Sequence, residues 1–217
     1  MNANRYRTLF RTAVADTAFA ALAAFGAQLA LMPTAVAQIV AYKAAPASQQ
    51  PTVLNAGNGV PLVNIQTPSA AGVSRNTYEQ FDVQQQGAIL NNSRTNTQTQ
   101  LGGWIQGNPW LAAGSARVIL NEVISANPSQ LMGYVEVAGS PAQVVIANPA
   151  GITCAGCGFL NASRATLTTG TPLVNGGSLD GYRVTGGTIR IDGAGMDASR
   201  IGYTDLIARA VEVNAGL

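Results

Sequence analysis

Short strand-type runs of three to six residues, broken again and again by turn residues, set the strongest limit on this chain. Two of the breaks are Asn-Pro pairs, in Asn108-Pro109-Trp110-Leu111 and Asn148-Pro149-Ala150-Gly151-Ile152. Proline fixes its own φ and removes a donor, while asparagine closes the turn with its side chain. Runs such as Tyr78–Val83, 116–120, 133–137, 143–147, 165–168, 188–191 and 210–213 carry Val, Ile and Thr between polar residues, the pattern of half-buried strands. No segment sustains a helical period between caps. An all-β chain follows, either a sandwich or a solenoid.

The spacing of 177–179, 182–184 and 188–191 favours the solenoid, with Leu179, Val184, Ile189, Ile191, Val211 and Val213 as inward residues. A sandwich core would use the same side chains, so periodicity leaves both open.

Residues 1–37 read as a signal peptide: Arg5, Arg7 and Arg11 precede the apolar stretch 13–32, and Ala35-Val36-Ala37 offers a small-residue cleavage site. Residues 38–54 read as a flexible start and 55–217 as the folded domain. Twelve basic residues less the three arginines, and ten acidic residues less Asp16, leave nine of each, so the exported chain is neutral. Without a Lys/Arg cluster, nucleic acid and anionic membrane are excluded as partners.

Cys154 and Cys157 are the only cysteines, and there is no histidine. A closed zinc site needs four ligands, so a metal is disfavoured and no cofactor is expected. In an oxidising compartment a short-range disulfide is the better reading, with two free thiols as the alternative. Trp104 and Trp110, with Tyr78 and Phe81, read as cap or core aromatics, and a glycan-stacking platform is the rival reading. Asp180, Asp192, Asp197 and Asp205 raise a β-helix polysaccharide enzyme, but Asp180-Gly181 and Asp192-Gly193 are ordinary turn signals. The chain is read as non-enzymatic.

Asn91-Asn92-Ser93-Arg94, Gln98 to Leu111, 116–123, 127–131, 146–152, Cys154 to Phe159, 164–170, 191–197 and 208–215 together resemble one family, in order along the chain. This is the two-partner secretion domain (haemagglutination activity domain) that opens filamentous haemagglutinins, related haemolysins and contact-dependent growth inhibition exoproteins. The resemblance implies a right-handed parallel β-helix with an N-terminal cap and extra β-hairpins. It implies as partner a dedicated outer-membrane transporter with periplasmic polypeptide-transport-associated domains, which exports the chain to the cell surface or beyond. Asn92, Ser93, Arg94, Asn108, Pro109, Trp110, Leu111, Asn148, Pro149, Ala150, Gly151 and Ile152 are its recognition or turn motifs. From chemistry alone, the Asn-Pro pairs read as structural turns rather than as a docking determinant.

The family's turns read Asn-Pro-Asn-Leu and Asn-Pro-Asn-Gly. Trp110 and Ala150 replace the second asparagine, which predicts altered or weaker turns because neither tolerates left-handed backbone as asparagine does. A chain stopping at Leu217 amid strand-turn repetition is expected to be a fragment of a longer exoprotein, with host or neighbouring-cell receptors met by the region downstream. A stand-alone adhesin that binds carbohydrate or matrix is the second functional reading, and a polysaccharide-degrading enzyme the third.

Overall fold

The computed structural model describes residues 39–217, so the signal-peptide reading of 1–37 lies outside the described residues. Three parallel sheets wind as a five-coil helix, closed at its N-terminal end by two antiparallel strands. These cap strands are β1 (Ile39–Ala41) and β2 (Thr52–Asn55). The first coil holds β3 (Pro61–Asn64) and β4 (Val73–Phe81). The second holds β5 (Ala88–Asn92), an extra hairpin of β6 (Thr97–Thr99) and β7 (Gly103–Ile105), then β8 (Val118–Val123) and β9 (Ser129–Leu131). The third has β10 (Tyr134–Gly139), β11 (Ala142–Ala147) and β12 (Ile152–Cys154). The fourth has β13 (Cys157–Leu160), β14 (Ala162–Thr168), an extra hairpin of β15 (Thr171–Asn175) and β16 (Ser178–Arg183), and β17 (Thr188–Ile191). The fifth has β18 (Met196–Asp197), β19 (Thr204–Ile207) and β20 (Ala210–Val213).

Coils two to five visit the three sheets in one order, and the first places strands in only two of them. Sheet B contains β2, β3, β5, β10, β13 and β18; sheet A contains β1, β4, β8, β11, β14 and β19; sheet C contains β9, β12, β17 and β20. Parallel strands joined by crossovers adopt the right-handed sense because of backbone chirality. The chain is thus a right-handed parallel β-helix with an N-terminal cap and two extra β-hairpins.

Stacked side chains fill the interior. Ile119, Val144 and Ala165 form one inward column of sheet A, and Leu90 and Val137 sit beside Val63 in sheet B. In sheet C, Ser129, Ile152, Ile189 and Val211 form one column, and Leu131, Cys154, Ile191 and Val213 another. Ile189 and Ile191 are fully buried, as the sequence predicts. Val211 and Val213 differ: they are 41% and 50% exposed, because β20 has a neighbouring strand on one side only.

The hairpins explain other departures from the sequence reading. Residues 177–184 are not a coil of the helix; 178–183 form β16, antiparallel to β15. Leu179 therefore points away from the interior and packs with Val174 and Tyr182 on the outer face of sheet A, against Val73, Leu120 and Val145. Val184, just past the hairpin, is half-buried. The β6–β7 hairpin covers the outer face of sheet B in the same way, through Ile105 and Leu101 on Leu62, Ile89 and Ala138. Glu136 holds it there, its carboxylate accepting the Gln100 and Leu101 N–H groups at 2.7 and 2.8 Å.

The stretch 38–54 is also not a loose lead-in from Ile39 onward. β1 pairs antiparallel with β4, β2 pairs with β3, and a 3-10 turn at Ala47–Gln49 lies between them. Pairing satisfies the edges that sheets A and B would otherwise present.

Candidate functional site

Asn92 ends β5, and Asn108 opens a 3-10 turn at Pro109–Leu111; both lie on the crossover from sheet B to sheet A in the second coil. The structure brings these two motifs together. Asn108 donates its backbone N–H to Ser93 O at 2.7 Å, and Arg94 reaches Ala112 O at 3.1 Å. The Asn108 side chain donates to Ile65 O (2.8 Å) and Asn91 O (2.9 Å), and its Oδ1 accepts the Trp110 N–H (3.0 Å). Asn92 donates to Ala116 O and Ser140 O, at 2.9 and 2.8 Å, and accepts the Ala116 N–H at 2.7 Å. Ser93 donates its hydroxyl to Thr95 O, and Leu111 is fully buried in the core.

The second Asn-Pro turn sits at a different corner, between β11 of sheet A and β12 of sheet C. Asn148 is completely buried. It donates to Asn127 O (2.9 Å) and Ser129 Oγ (3.0 Å) in the coil before, while its Oδ1 accepts the Ala150 N–H (3.0 Å). Its backbone N–H reaches Thr168 O in the coil after, at 2.9 Å. No hydrogen bond joins this turn to the first one among the described residues. Ile152 continues into the core as an inward residue of β12, and Pro149 is exposed.

Both asparagines therefore work alike: one oxygen shapes the turn, and one amide ties it to neighbouring chain. Buried amide groups with every atom engaged are held in place, because losing a partner strands polar atoms away from water. None of the three asparagine side chains offers a free atom to a protein partner.

The replacements at 110 and 150 leave the turns intact. Asn161 is the only non-glycine residue with positive φ among the described residues, so neither Trp110 nor Ala150 is in left-handed backbone. Left-handed φ falls at Gly151 instead, at 125°. The turn uses the backbone N–H at 110 and 150, which any residue but proline supplies. Trp110 even adds a tie to the cap, its indole N–H donating to Thr52 Oγ1 at 3.2 Å. Ala150→Asn is accordingly expected to change the thermal midpoint by the equivalent of about 0.5 kcal/mol or less, with unchanged export; unfolding curves and secretion assays of the pair check this.

Tyr78 and Phe81 are fully buried and meet edge-to-face with centroids 4.9 Å apart. The tryptophans are not core: Trp104 is 72% exposed and Trp110 45%. Both stand on the extra-coil excursion between β5 and β8, which the strand periodicity did not reveal.

Cys154 ends β12 and Cys157 begins β13, and their sulfurs are joined across the corner between coils three and four. The link closes a loop with only two intervening residues, so it constrains little unfolded-chain entropy. Replacing both cysteines with alanine is expected to cost about 1–2 kcal/mol, read as a lower unfolding midpoint that reductant also produces in the parent. Intact mass with and without reduction reports the linkage.

Of the four aspartates, Asp180 and Asp205 line one groove with Arg164, while Asp192 and Asp197 do not line it. Asp192 accepts from Asn214 at 2.7 Å, and Asp205 is paired with Arg164 and accepts from Thr166. Arg164 holds the Asp205 carboxyl below its ordinary value. Asp197 accepts from Ser199 and from the Tyr134 hydroxyl, which lowers its pKa to about 2. With the folded value depressed, the stabilisation from Asp197 is complete above the usual carboxylate range and is lost as pH falls toward about 2. The stability gap between the parent and Asp197→Asn should therefore narrow on acidification, which unfolding curves from neutral pH downward check. Among the described residues no group of three or more His, Cys, Asp or Glu is placed to hold a metal.

The fold agrees with that of a solved relative. A family model described as "TPS secretion domain" matches residues 37–217. "Toxin CdiA" of Yersinia pestis is 62% identical over 184 residues, covering 85% of this chain and 6% of that protein. "tRNA nuclease CdiA-2" of Burkholderia pseudomallei (strain 1026b) is 55% identical over 167 residues, covering 76% and 5%. The crystal structure of the filamentous hemagglutinin secretion domain superposes with a TM-score of 0.73 at 41% identity, covering 82% of this chain and 59% of that one. The chain thus spans about a twentieth of these curated relatives. With the matched model reaching from residue 37 to the last strand, this chain belongs to the TPS secretion domain family.

Proposed function

We propose that this chain is the N-terminal secretion domain of a large exported adhesin or contact-dependent growth inhibition exoprotein. The segment 1–37 directs it across the inner membrane as a signal peptide. A dedicated two-partner-secretion transporter, bearing periplasmic polypeptide-transport-associated domains, then passes it across the outer membrane. The family match over 37–217 carries this reading. Toxin and nuclease are words in the names of whole relatives, of which the matched segment is 5–6%. Catalysis is therefore not assigned to this segment, and receptors on host or neighbouring cells are assigned to downstream sequence.

The capped end suits a domain that starts folding outside the cell. Residues 39–55 occupy the first edges of sheets A and B, leaving the last coil as the edge on which further chain pairs. Folding then proceeds in one direction, each coil templating the next. The cysteine link does not obstruct passage of an extended chain, since it joins residues three apart.

Deletion of 38–217 from the full exoprotein, co-expressed with its transporter, tests the role. Loss of the downstream region from the medium and cell surface is the expected outcome. Undiminished export with only a loss of carbohydrate or matrix binding would replace this function with that of an adhesin.

A further inference from the structure

The β15–β16 hairpin leaves the helix at the end of β14 in coil four, yet its tip reaches the loop ahead of β4 in coil one. There Ser69 donates its hydroxyl to Gly177 O at 2.7 Å, a bond between residues 108 apart in sequence. In sheet A, β14, β11, β8 and β4 are successive neighbours, so the hairpin crosses three strand spacings, about 14 Å. Its β15 arm, five residues at about 3.4 Å each, is about 17 Å long and covers that span.

Both ends are seated where side chains are missing. At the base, an added Cβ on Gly170 would lie 2.7 Å from Tyr182 Cβ; at the tip, one on Gly177 would lie 2.8 Å from Ser69 Cβ. Between the ends, Val174, Leu179 and Tyr182 lie on the apolar bed of Val73, Leu120, Val145 and Ala147. Sideways, the hairpin is free. It forms a sheet of its own, and among the described residues no backbone–backbone hydrogen bond joins it to another sheet. Grooves of about 590 and 290 Å³ flank it. Such an element lifts as a unit while the coils beneath stay paired.

We propose that this hairpin is a strap whose docking on the loop ahead of β4 fastens coil one to coil four and completes folding of the exported chain. Coil one gains most from it, because the buried inward Ser74 and Asn76 of β4 give that coil less apolar packing than its successors. The setting rests on the secretion-domain reading. A chain that emerges from its N-terminal end cannot dock the strap until residues 69 and 177 are both outside. Before that moment coils one to three form and open reversibly; afterwards the strap opposes their opening, and with it any return of chain into the transporter.

Native-state hydrogen exchange of the purified exported chain tests the strap. Gly177→Ala drives a Cβ into Ser69, whereas Gly176→Ala, also at positive φ, meets nothing within 4 Å and controls for turn strain. Exchange at the start of β4, residues 73–77, is expected to be about tenfold faster or more in Gly177→Ala than in Gly176→Ala, with β9 and β12 of sheet C unchanged. Ser69→Ala should act in the same direction, and its effect should not add to that of Gly177→Ala. Equal exchange in the two glycine variants, or a rise spread evenly over all three sheets, would overturn the proposal. The measurement needs no transporter, so that result would leave the secretion role standing. Undiminished export after deletion of 38–217 would in turn remove the secretion role and leave the exchange pattern as it is.

Discussion

Asn148→Ala is expected to destabilise the folded domain by about 2–4 kcal/mol and to reduce export along with stability. The side chain is wholly buried and makes three hydrogen bonds, to Asn127 O, Ser129 Oγ and the Ala150 N–H. Alanine removes all three and leaves their partners at an interior corner. The loss exceeds that of an ordinary turn residue because these bonds tie the third coil to the second. Chemical denaturation of the parent and variant gives the difference directly. A shift no larger than that of Ala150→Asn would show that the corner relaxes around the missing amide.

A second large effect is expected from Gly187→Ala, at the same corner but in the following coil. Gly187 has φ of 76°, in the left-handed region, and an added Cβ would lie 2.7 Å from both Pro149 O and Thr169 Cβ. Two costs then combine: the strained backbone, and a close approach to backbone that cannot swing aside. Together they are expected to amount to about 3 kcal/mol or more, seen as a lower unfolding midpoint with export falling in step. Gly186→Ala is the internal control, because nothing lies within 4 Å of its added Cβ. Equal behaviour of the two variants would mean that the corner moves freely.

Much of the helix was legible in its strands. The runs at 116–120, 133–137, 143–147, 165–168, 188–191 and 210–213 overlap β8, β10, β11, β14, β17 and β20. They stand out because inward Val, Ile and Leu alternate with outer residues along each. The front of β4 did not stand out, for an identifiable reason. Its inward positions Ser74 and Asn76 are polar, and the cap-side chain satisfies them: Ser74 donates to Gln66 O, and Asn76 accepts the Gln66 N–H. Alternation of hydrophobicity fails where the solenoid interior meets its cap.

The hairpins were hidden by a related effect. Leu179 and Tyr182 face the outer side of sheet A, and Ile105 the outer side of sheet B, so apolar residues at strand spacing did not mark the interior. For the turns, the Asn-Pro pairs were visible, but their partners were not. Asn108 reaches Ile65 O, 43 residues away in sequence, and no local pattern records such a bond. The consequence of Trp110 and Ala150 was likewise out of reach, since it depends on which residue takes the positive φ.

We infer that the motif asparagines act through the fold and are not points of contact with the transporter. Secreted yield should be plotted against unfolding temperature for Asn92→Ala, Asn108→Ala and Asn148→Ala, with the exposed Arg94→Ala and Pro149→Ala alongside. The three asparagine variants are expected to lose stability and export together, on one line with the parent. Export abolished in an asparagine variant that unfolds at the parent's temperature would contradict it.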